Sequence, residues 1–152
     1  MKDCLKILNL ILCGLIFLPA IIFAQEKNFL NKMNNEKNTI QEKRIFSEIE
    51  SGFAEGNVGT ISNLFNAQTY FSLSNGVSGY YSSNQAFYIL QEFFKIHQVI
   101  SFRFSNIYSD KNNPYATGSY FYELKGRRES AKVFIALKRV GNILKITQIT
   151  IN

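Results

Sequence analysis

The spacing of apolar residues changes along this chain and predicts which segments are helices and which are strands. Between Ser82 and His97 the apolar residues recur at the spacing of one helical face, i, i+3, i+4, i+7 and i+8: Ala86, Ile89, Leu90, Phe93 and Phe94. Ser82 or Ser83 is suited to cap the first turn of that helix. Because such a face needs a broad apolar surface, we expect the rest of the chain to be organised around this helix.

Two further helices are predicted upstream. From Ile40 the apolar residues follow helical spacing as far as Phe53, and the tripeptide Glu55-Gly56-Asn57 is a stop signal. Asn57 is then a suitable cap for a short second helix, whose apolar side is formed by Val58, Ile61, Leu64 and Phe65.

The period changes to two after residue 68, which predicts strands. Residues 69–74 and 77–81 form a predicted hairpin closed by the turn Asn75-Gly76. Four further strands are separated by turn signals, at residues 99–109, 115–125, 131–138 and 143–151. The order α-α-β-β-α-β-β-β-β predicts an α+β fold, with helices packed on one face of a strongly curved, mostly antiparallel sheet.

The last two strands look apolar on both faces. Simple alternation places Ile149 and Ile151 on the face opposite Ile146, and in the preceding strand Phe134 opposes Ile135. A sheet with one solvated face would instead alternate apolar and polar residues. We therefore expect the second face to be covered, most simply by a second copy of the chain in a homodimer.

Residues 1–24 have the pattern of an export signal. Lys2 and Lys6 precede an apolar stretch, and cleavage is expected near Ala24-Gln25. The chain would then be exported to the periplasm or the cell exterior. The alternative is an uncleaved anchor in the inner membrane, which is the only membrane contact expected. Residues 25–39, rich in Asn and Lys, predict a flexible lead-in to a single domain at residues 40–152.

Composition excludes several classes of site. The formal net charge is +6, but the basic residues are scattered, and an exported chain meets little nucleic acid, so no nucleic-acid partner is expected. Both cysteines, Cys4 and Cys13, lie in the signal segment, so the mature chain has no thiol for zinc or for nucleophilic catalysis. The single histidine argues against a metal site. No Gly-rich phosphate loop is present, and no cofactor is expected.

The segments GYYSSNQAFYILQEFFKIH, ISFRF, YATGSY and KVFIALKRVGNILKITQITI resemble an uncharacterised family of small exported bacterial proteins. This is domain-of-unknown-function family 4783 (DUF4783), within the nuclear transport factor 2-like (SnoaL-like) superfamily. The resemblance covers about residues 40–151. It implies a cystatin-like cone, in which a bent sheet wraps the helices around a pocket at the wide end, often with dimerisation through the sheet. Superfamily members include isomerases, dehydratases, hydrolases and binding domains, so the fold leaves the function open.

Catalysis of the superfamily's isomerase type needs a carboxylate facing the pocket. Most acidic residues here fall in the lead-in, on polar helix faces or at turns, and Glu123, the only acid within a long strand, is near that strand's end. His97 is the weak catalytic candidate, since an unperturbed histidine titrates near neutral pH. Its simpler interpretation is a residue favourably placed at a helix C-terminus.

Side chains with an apolar body and a polar tip suit pocket walls and interfaces. The candidate ligand-binding residues are Tyr70, Tyr88, Phe93, His97, Arg103 and Gln148. The leading hypothesis is a non-catalytic exported domain that binds a small apolar ligand or an envelope protein through a conical pocket or a sheet face. One alternative is a small SnoaL-like lyase or isomerase that uses His97 and a tyrosine as acid and base. Another is a structural dimer with an assembly role.

Overall fold

The structure, a computed structural model, describes Phe29 and residues 32–152. The predicted export signal lies outside the described residues. Residues 32–39 are helical where the sequence predicts a flexible lead-in, and residues 40–152 form one compact unit. No helix in the described part is long and apolar enough to cross a membrane.

Three helices belong to the unit at residues 40–152. Helix α1 continues from residues 32–39 and covers residues 40–55 of this unit, and α2 (Val58–Ile61) is followed by a 3₁₀ turn (Ser62–Leu64). The Asn57 side chain caps α2 by accepting the N–H of Gly59, as its place in the sequence predicts. The sequence predicts that Phe65 belongs to this helix, but Phe65 is instead the first residue of a strand.

Helix α3 (Ser83–Ile96) confirms the predicted central helix and its start. Ser82 and Gln85 form a capping box, in which each side chain bonds the backbone N–H of the other residue. The buried face of α3 consists of Ala86, Leu90, Phe93 and Phe94. His97 caps the C-terminus of the helix, and its N–H donates to the carbonyl oxygen of Phe93.

Six strands form one mixed sheet in the order β2-β1-β6-β5-β4-β3. Their bounds are β1 Phe65–Leu73, β2 Ser78–Ser82, β3 Gln98–Tyr108, β4 Tyr115–Leu124, β5 Arg127–Val140 and β6 Ile143–Ile151. All neighbouring strands are antiparallel except β1 and β6, which are parallel. The predicted hairpin and the four-strand meander are both present, which confirms the α+β fold.

A β-bulge in β6 corrects the expectation that this strand is apolar on both faces. Ala136 pairs with Gln148 while Leu137 pairs with Ile146, so Thr147 is an extra residue without a partner of its own. The extra residue shifts the alternation by one. Apart from Ile143, which is exposed at the start of the strand, the apolar residues of β6 are therefore buried together on one face: Leu144, Ile146, Ile149 and Ile151. The opposite face carries Gln148 and Thr150 there.

The core lies between the helices and one face of the sheet, which we call the inner face. Its fully buried large side chains come from α1, from α3 and from most of the strands, and include Phe46, Phe53, Phe71, Phe93 and Tyr120. The other face of the sheet, which we call the outer face, carries the residues that alternate with these.

Candidate functional site

Aromatic side chains fill the space between the helices and the inner face, where the resemblance implies a pocket. The ring of Phe53 lies 5.3 Å from that of Phe94 and 4.9 Å from that of Phe102, measured between ring centroids. Tyr120 stands edge-on to Phe53, with its centroid 6.4 Å away. Edge-to-face and tilted contacts at these distances are favourable packing geometries. In the described part of the chain, this region is a packed core.

Two polar side chains in this core, His97 and Tyr120, are bonded to the backbone. His97 is only 6% exposed, and its Nδ1 lies 3.0 Å from the carbonyl oxygen of Phe93, to which it donates. The Tyr120 hydroxyl donates to the carbonyl oxygen of His97 at 2.7 Å. Burial, with a smaller contribution from nearby Tyr122, raises the pKa of Tyr120 above its ordinary value and keeps it a neutral donor. The His97 bond closes the end of α3, and the Tyr120 bond holds that end against β4.

The six sequence-based binding candidates are not brought together at one site. Phe93 and His97 stack in the core, with ring centroids 4.1 Å apart and planes 14° from parallel. Tyr88 projects from α3 and is 64% exposed. Arg103 is exposed on β3, an edge strand. Tyr70 and Gln148 are register partners on the outer face of β1 and β6.

The outer face carries a row of residues that crosses all six strands, which we call the tyrosine row. Strand register makes each member the neighbour of the next: Tyr108, Tyr115, Ala136, Gln148, Tyr70 and Tyr80. The rings of Tyr108 and Tyr115 stack with centroids 4.6 Å apart, and those of Tyr70 and Tyr80 lie 5.1 Å apart. Tyr115 is 37% exposed and Tyr80 is 72% exposed. Two aromatic pairs therefore flank Ala136 and Gln148 on a solvent-facing surface.

A second row lies beside the first and contains a depression of about 380 Å³. Register aligns Asn106, Thr117, Phe134 and Thr150 across β3, β4, β5 and β6. A bulge at Ser105 interrupts the β3–β4 register at the rim of this depression. Lys132 lines it as well, and its Nζ donates to the Ser119 hydroxyl oxygen at 3.1 Å.

Sequence reasoning missed Lys132, Phe134 and the threonines of this depression. The alternation of Lys132 and Phe134 with buried Val133 and Ile135 marks these two as outer-face residues. The proximity of all these residues depends on the register of four strands, which no single segment of sequence specifies.

A groove of about 500 Å³ also runs between α1 and the edge strand β3. It is lined by residues that include Lys43, Glu50, Arg103 and Ile107. Because cationic and anionic side chains share its walls, the groove has no strong charge preference.

Two carboxylates in the described part of the chain, Glu42 and Glu123, come into consideration as possible catalytic groups. Glu42 is buried, and its Oε1 atom has no hydrogen-bond partner among the residues that the structure describes. Helical spacing places it on the same side of α1 as Phe46, Ile49 and Phe53. Glu123 is exposed on β4 and is the register partner of Arg128. Within residues 32–152 no three His, Cys, Asp or Glu side chains are grouped as a metal would require.

Comparison with solved structures places this fold among DUF4783 and NTF-2-like proteins. A DUF4783 family protein from Bacteroides uniformis is 20% identical, with a TM-score of 0.64 over 70% of this chain and 94% of that one. Another from Bacteroides ovatus is 21% identical, with a TM-score of 0.62 over 68% and 90%. An NTF-2-like protein of unknown function from Shewanella oneidensis is 9% identical, with a TM-score of 0.54 over 74% and 97%.

No curated protein matches this chain. The family model for the domain of unknown function DUF4783 matches residues 46–152, which is more than half of the chain and includes all six strands. The nuclear transport factor 2-like fold implied by the resemblance is confirmed by the structure and its neighbours. The chain therefore belongs to the DUF4783 family.

Proposed function

We propose that this domain is a non-catalytic binding module that acts through the outer face of its sheet. The observation that carries the proposal is the contrast between the two faces. The inner face is packed with rings that contact one another, whereas the tyrosine row presents partly exposed rings to solvent. Exposed apolar patches rimmed by polar residues are typical of binding sites.

The arrangement of His97 favours binding over acid-base catalysis. Its Nδ1 donates to the Phe93 carbonyl, and its ring lies between Phe93 and Tyr122. The Tyr120 hydroxyl, the nearest phenolic partner for a lyase or isomerase mechanism, donates to the His97 carbonyl. A general base must reach a substrate proton within about 3 Å. Both groups instead serve the packing of α3 on β4.

Self-association through the same face is a second candidate. It is favoured by Val140 and Ile143, a register pair of exposed apolar side chains at the β5–β6 end of the outer face. A dimer would place this pair and the neighbouring tyrosine row in a shared interface, and aromatic residues are enriched at such interfaces.

Native mass spectrometry of the chain purified from an exporting host tests the proposal. We expect a bound mass, either a second copy, a protein partner or a small molecule, and we expect the Tyr70→Thr and Tyr115→Thr double variant to lose it. Threonine keeps the strand preference while it removes the rings. The matched control is Tyr88→Thr on α3, which should retain the bound mass. A bare wild-type monomer, or a bound mass unaffected by the double variant, would contradict the proposal.

A further inference from the structure

The depression on the outer face has a chemical composition that identifies a class of ligand. We propose that it binds an acidic saccharide, a sugar that carries a carboxylate, with the sugar ring on Phe134 and the carboxylate on Lys132. The inference rests on the proposed function, because it names the ligand class of the same outer face.

The size and origin of the depression suit a small ligand. Its volume of about 380 Å³ lies in the range of small-molecule sites. The bulge at Ser105 gives β3 an extra residue between Phe104 and Asn106, next to Gly118, which also lines the depression. Bulges re-aim side chains and are often found beside functional sites.

The half-buried ring of Phe134 supplies the apolar contact. Its centroid lies 5.6 Å from that of Tyr115, so the two rings form a continuous aromatic surface at the edge of the depression. Thr117 and Thr150, the register neighbours of Phe134, carry hydroxyl groups, and Asn106 beyond Thr117 carries an amide. These groups can both donate and accept, which matches the hydroxyls of a sugar better than it matches an apolar protein anchor.

Charge favours an anion over a second copy of the chain. Lys132 is exposed and lines the depression, and none of the described residues that line it has an acidic side chain. Asn152 lines it too, and its backbone oxygen accepts the N–H of Lys132. Across the same face, Arg103 and Lys132 both neighbour Ser119 in the register, and Lys138 directly opposes Lys145. In a symmetric dimer whose two-fold axis passed near these residues, they would face their own copies and the like charges would repel. A carboxylate on the ligand would offset them.

Ligand chemistry can be varied one group at a time. The probes are tetragalacturonate, its methyl ester and tetraglutamate, titrated into the full chain by isothermal titration calorimetry. The ester keeps the sugar and removes the charge, whereas tetraglutamate keeps the carboxylates and removes the sugar. We expect tetragalacturonate to bind and tetraglutamate not to bind. The ester should bind about tenfold more weakly than the acid, because a charge-assisted hydrogen bond changes affinity by about tenfold.

Two outer-face variants assign the contacts. Lys132→Gln should weaken tetragalacturonate binding about tenfold and abolish its advantage over the ester. Phe134→Thr should weaken the acid and the ester by the same factor, because the ring contact does not depend on charge. The matched controls are Lys138→Gln and Phe121→Thr, which remove a lysine and an exposed ring of the same face outside the depression and should bind as wild type does.

Two sets of results would overturn the inference. One is the absence of tetragalacturonate binding. The other is equal binding of tetraglutamate, or equal weakening by Lys132→Gln and Lys138→Gln, which would reveal a diffuse attraction to anions. If native mass spectrometry still shows a bound mass that the tyrosine double variant loses, only the saccharide is wrong. If that bound mass is also missing, the proposed function fails with it.

Discussion

Strand β4 carries aromatic residues on both faces of the sheet, and the two faces use them differently. On the inner face, Tyr120 is fully buried and its hydroxyl is bonded to the backbone of His97. On the outer face of the same strand, Tyr115 stacks on Tyr108 and stays partly exposed. Residue type alone therefore does not reveal a role. Burial and hydrogen-bond partners separate the rings that stabilise this fold from those available to a ligand.

The largest expected effect is on the inner face. Phe53→Ala should lower the free energy of unfolding by about 3–5 kcal/mol, because it removes a fully buried ring and leaves a cavity among Phe94, Phe102 and Tyr120. Urea denaturation monitored by circular dichroism measures this loss. The outer-face control, Phe121→Thr, should cost less than about 1 kcal/mol. Equal losses for the two variants would contradict the assignment of the core to the inner face.

Gly118→Ala has the second largest expected effect on stability. It tests how closely β3 and the core approach β4. A Cβ atom at Gly118 would lie 2.7 Å from the carbonyl oxygen of Arg103 and 3.0 Å from the ring of Phe102. We expect a loss of about 1–3 kcal/mol from overpacking, measured by the same denaturation.

A double-mutant cycle checks the cause of that loss. Phe102→Leu withdraws the ring from the added methyl group, so part of the cost of Gly118→Ala should disappear in the double variant. Strictly additive losses would show that the Phe102 ring is not what the new methyl group meets.

Tyr120→Phe removes a single hydroxyl from the inner face. The His97 carbonyl then loses its donor in a buried environment, and we expect a loss of about 1–2 kcal/mol in the free energy of unfolding. The matched outer-face change is Tyr70→Phe, whose hydroxyl lies 3.2 Å from that of Ser78 in an exposed region. That change should have almost no effect, and a comparable loss there would erase the contrast between the faces.

The Tyr120 hydroxyl also gives stability a dependence on alkaline pH. Burial raises its pKa in the folded state above the ordinary value of 10.0, whereas in the unfolded chain it ionises near that value. Above pH 10 the unfolded state therefore binds fewer protons than the folded state, and stability falls as pH rises. Urea denaturation at pH 8 and above pH 10 should show a smaller fall for Tyr120→Phe than for wild type.

The smallest effect concerns Glu42, the exception among the apolar residues on its side of α1. Its Oε1 atom is buried and has no partner among residues 32–152, so Glu42→Leu should raise the free energy of unfolding by about 1 kcal/mol. Glu48→Leu, a change at a partly exposed residue of the same helix, is the control and should not stabilise the protein. A marked destabilisation by Glu42→Leu would indicate that the carboxylate has a favourable role.

The sequence predicts the elements of this fold well because their signals are local. The capping box at Ser82, the helical spacing of α3 and the bounds of β6 can all be read within a short segment. The bulge at Thr147 cannot, because it is defined only by the pairing of β6 with β5. Missing it moved Ile149 and Ile151 to the wrong face and made the outer face look more apolar than it is.

The candidate site was less predictable than the fold, for a related reason. Tyr70 and Gln148 were identified as candidates from their residue types, but their adjacency comes from the parallel pairing of β1 with β6. Lys132 and Phe134 acquire their role from neighbours on other strands. A row across a sheet is a property of register, and register is set by the whole core.

Site-specific photo-crosslinking in the producing bacterium tests the central claim, that binding occurs at the outer face. A photoreactive phenylalanine analogue would replace Tyr115 on the outer face or, in a matched chain, Tyr88 on α3, which is also exposed. We expect a cross-linked product from residue 115 and none from residue 88. Cross-linking from residue 88 alone, or none from residue 115, would contradict the account.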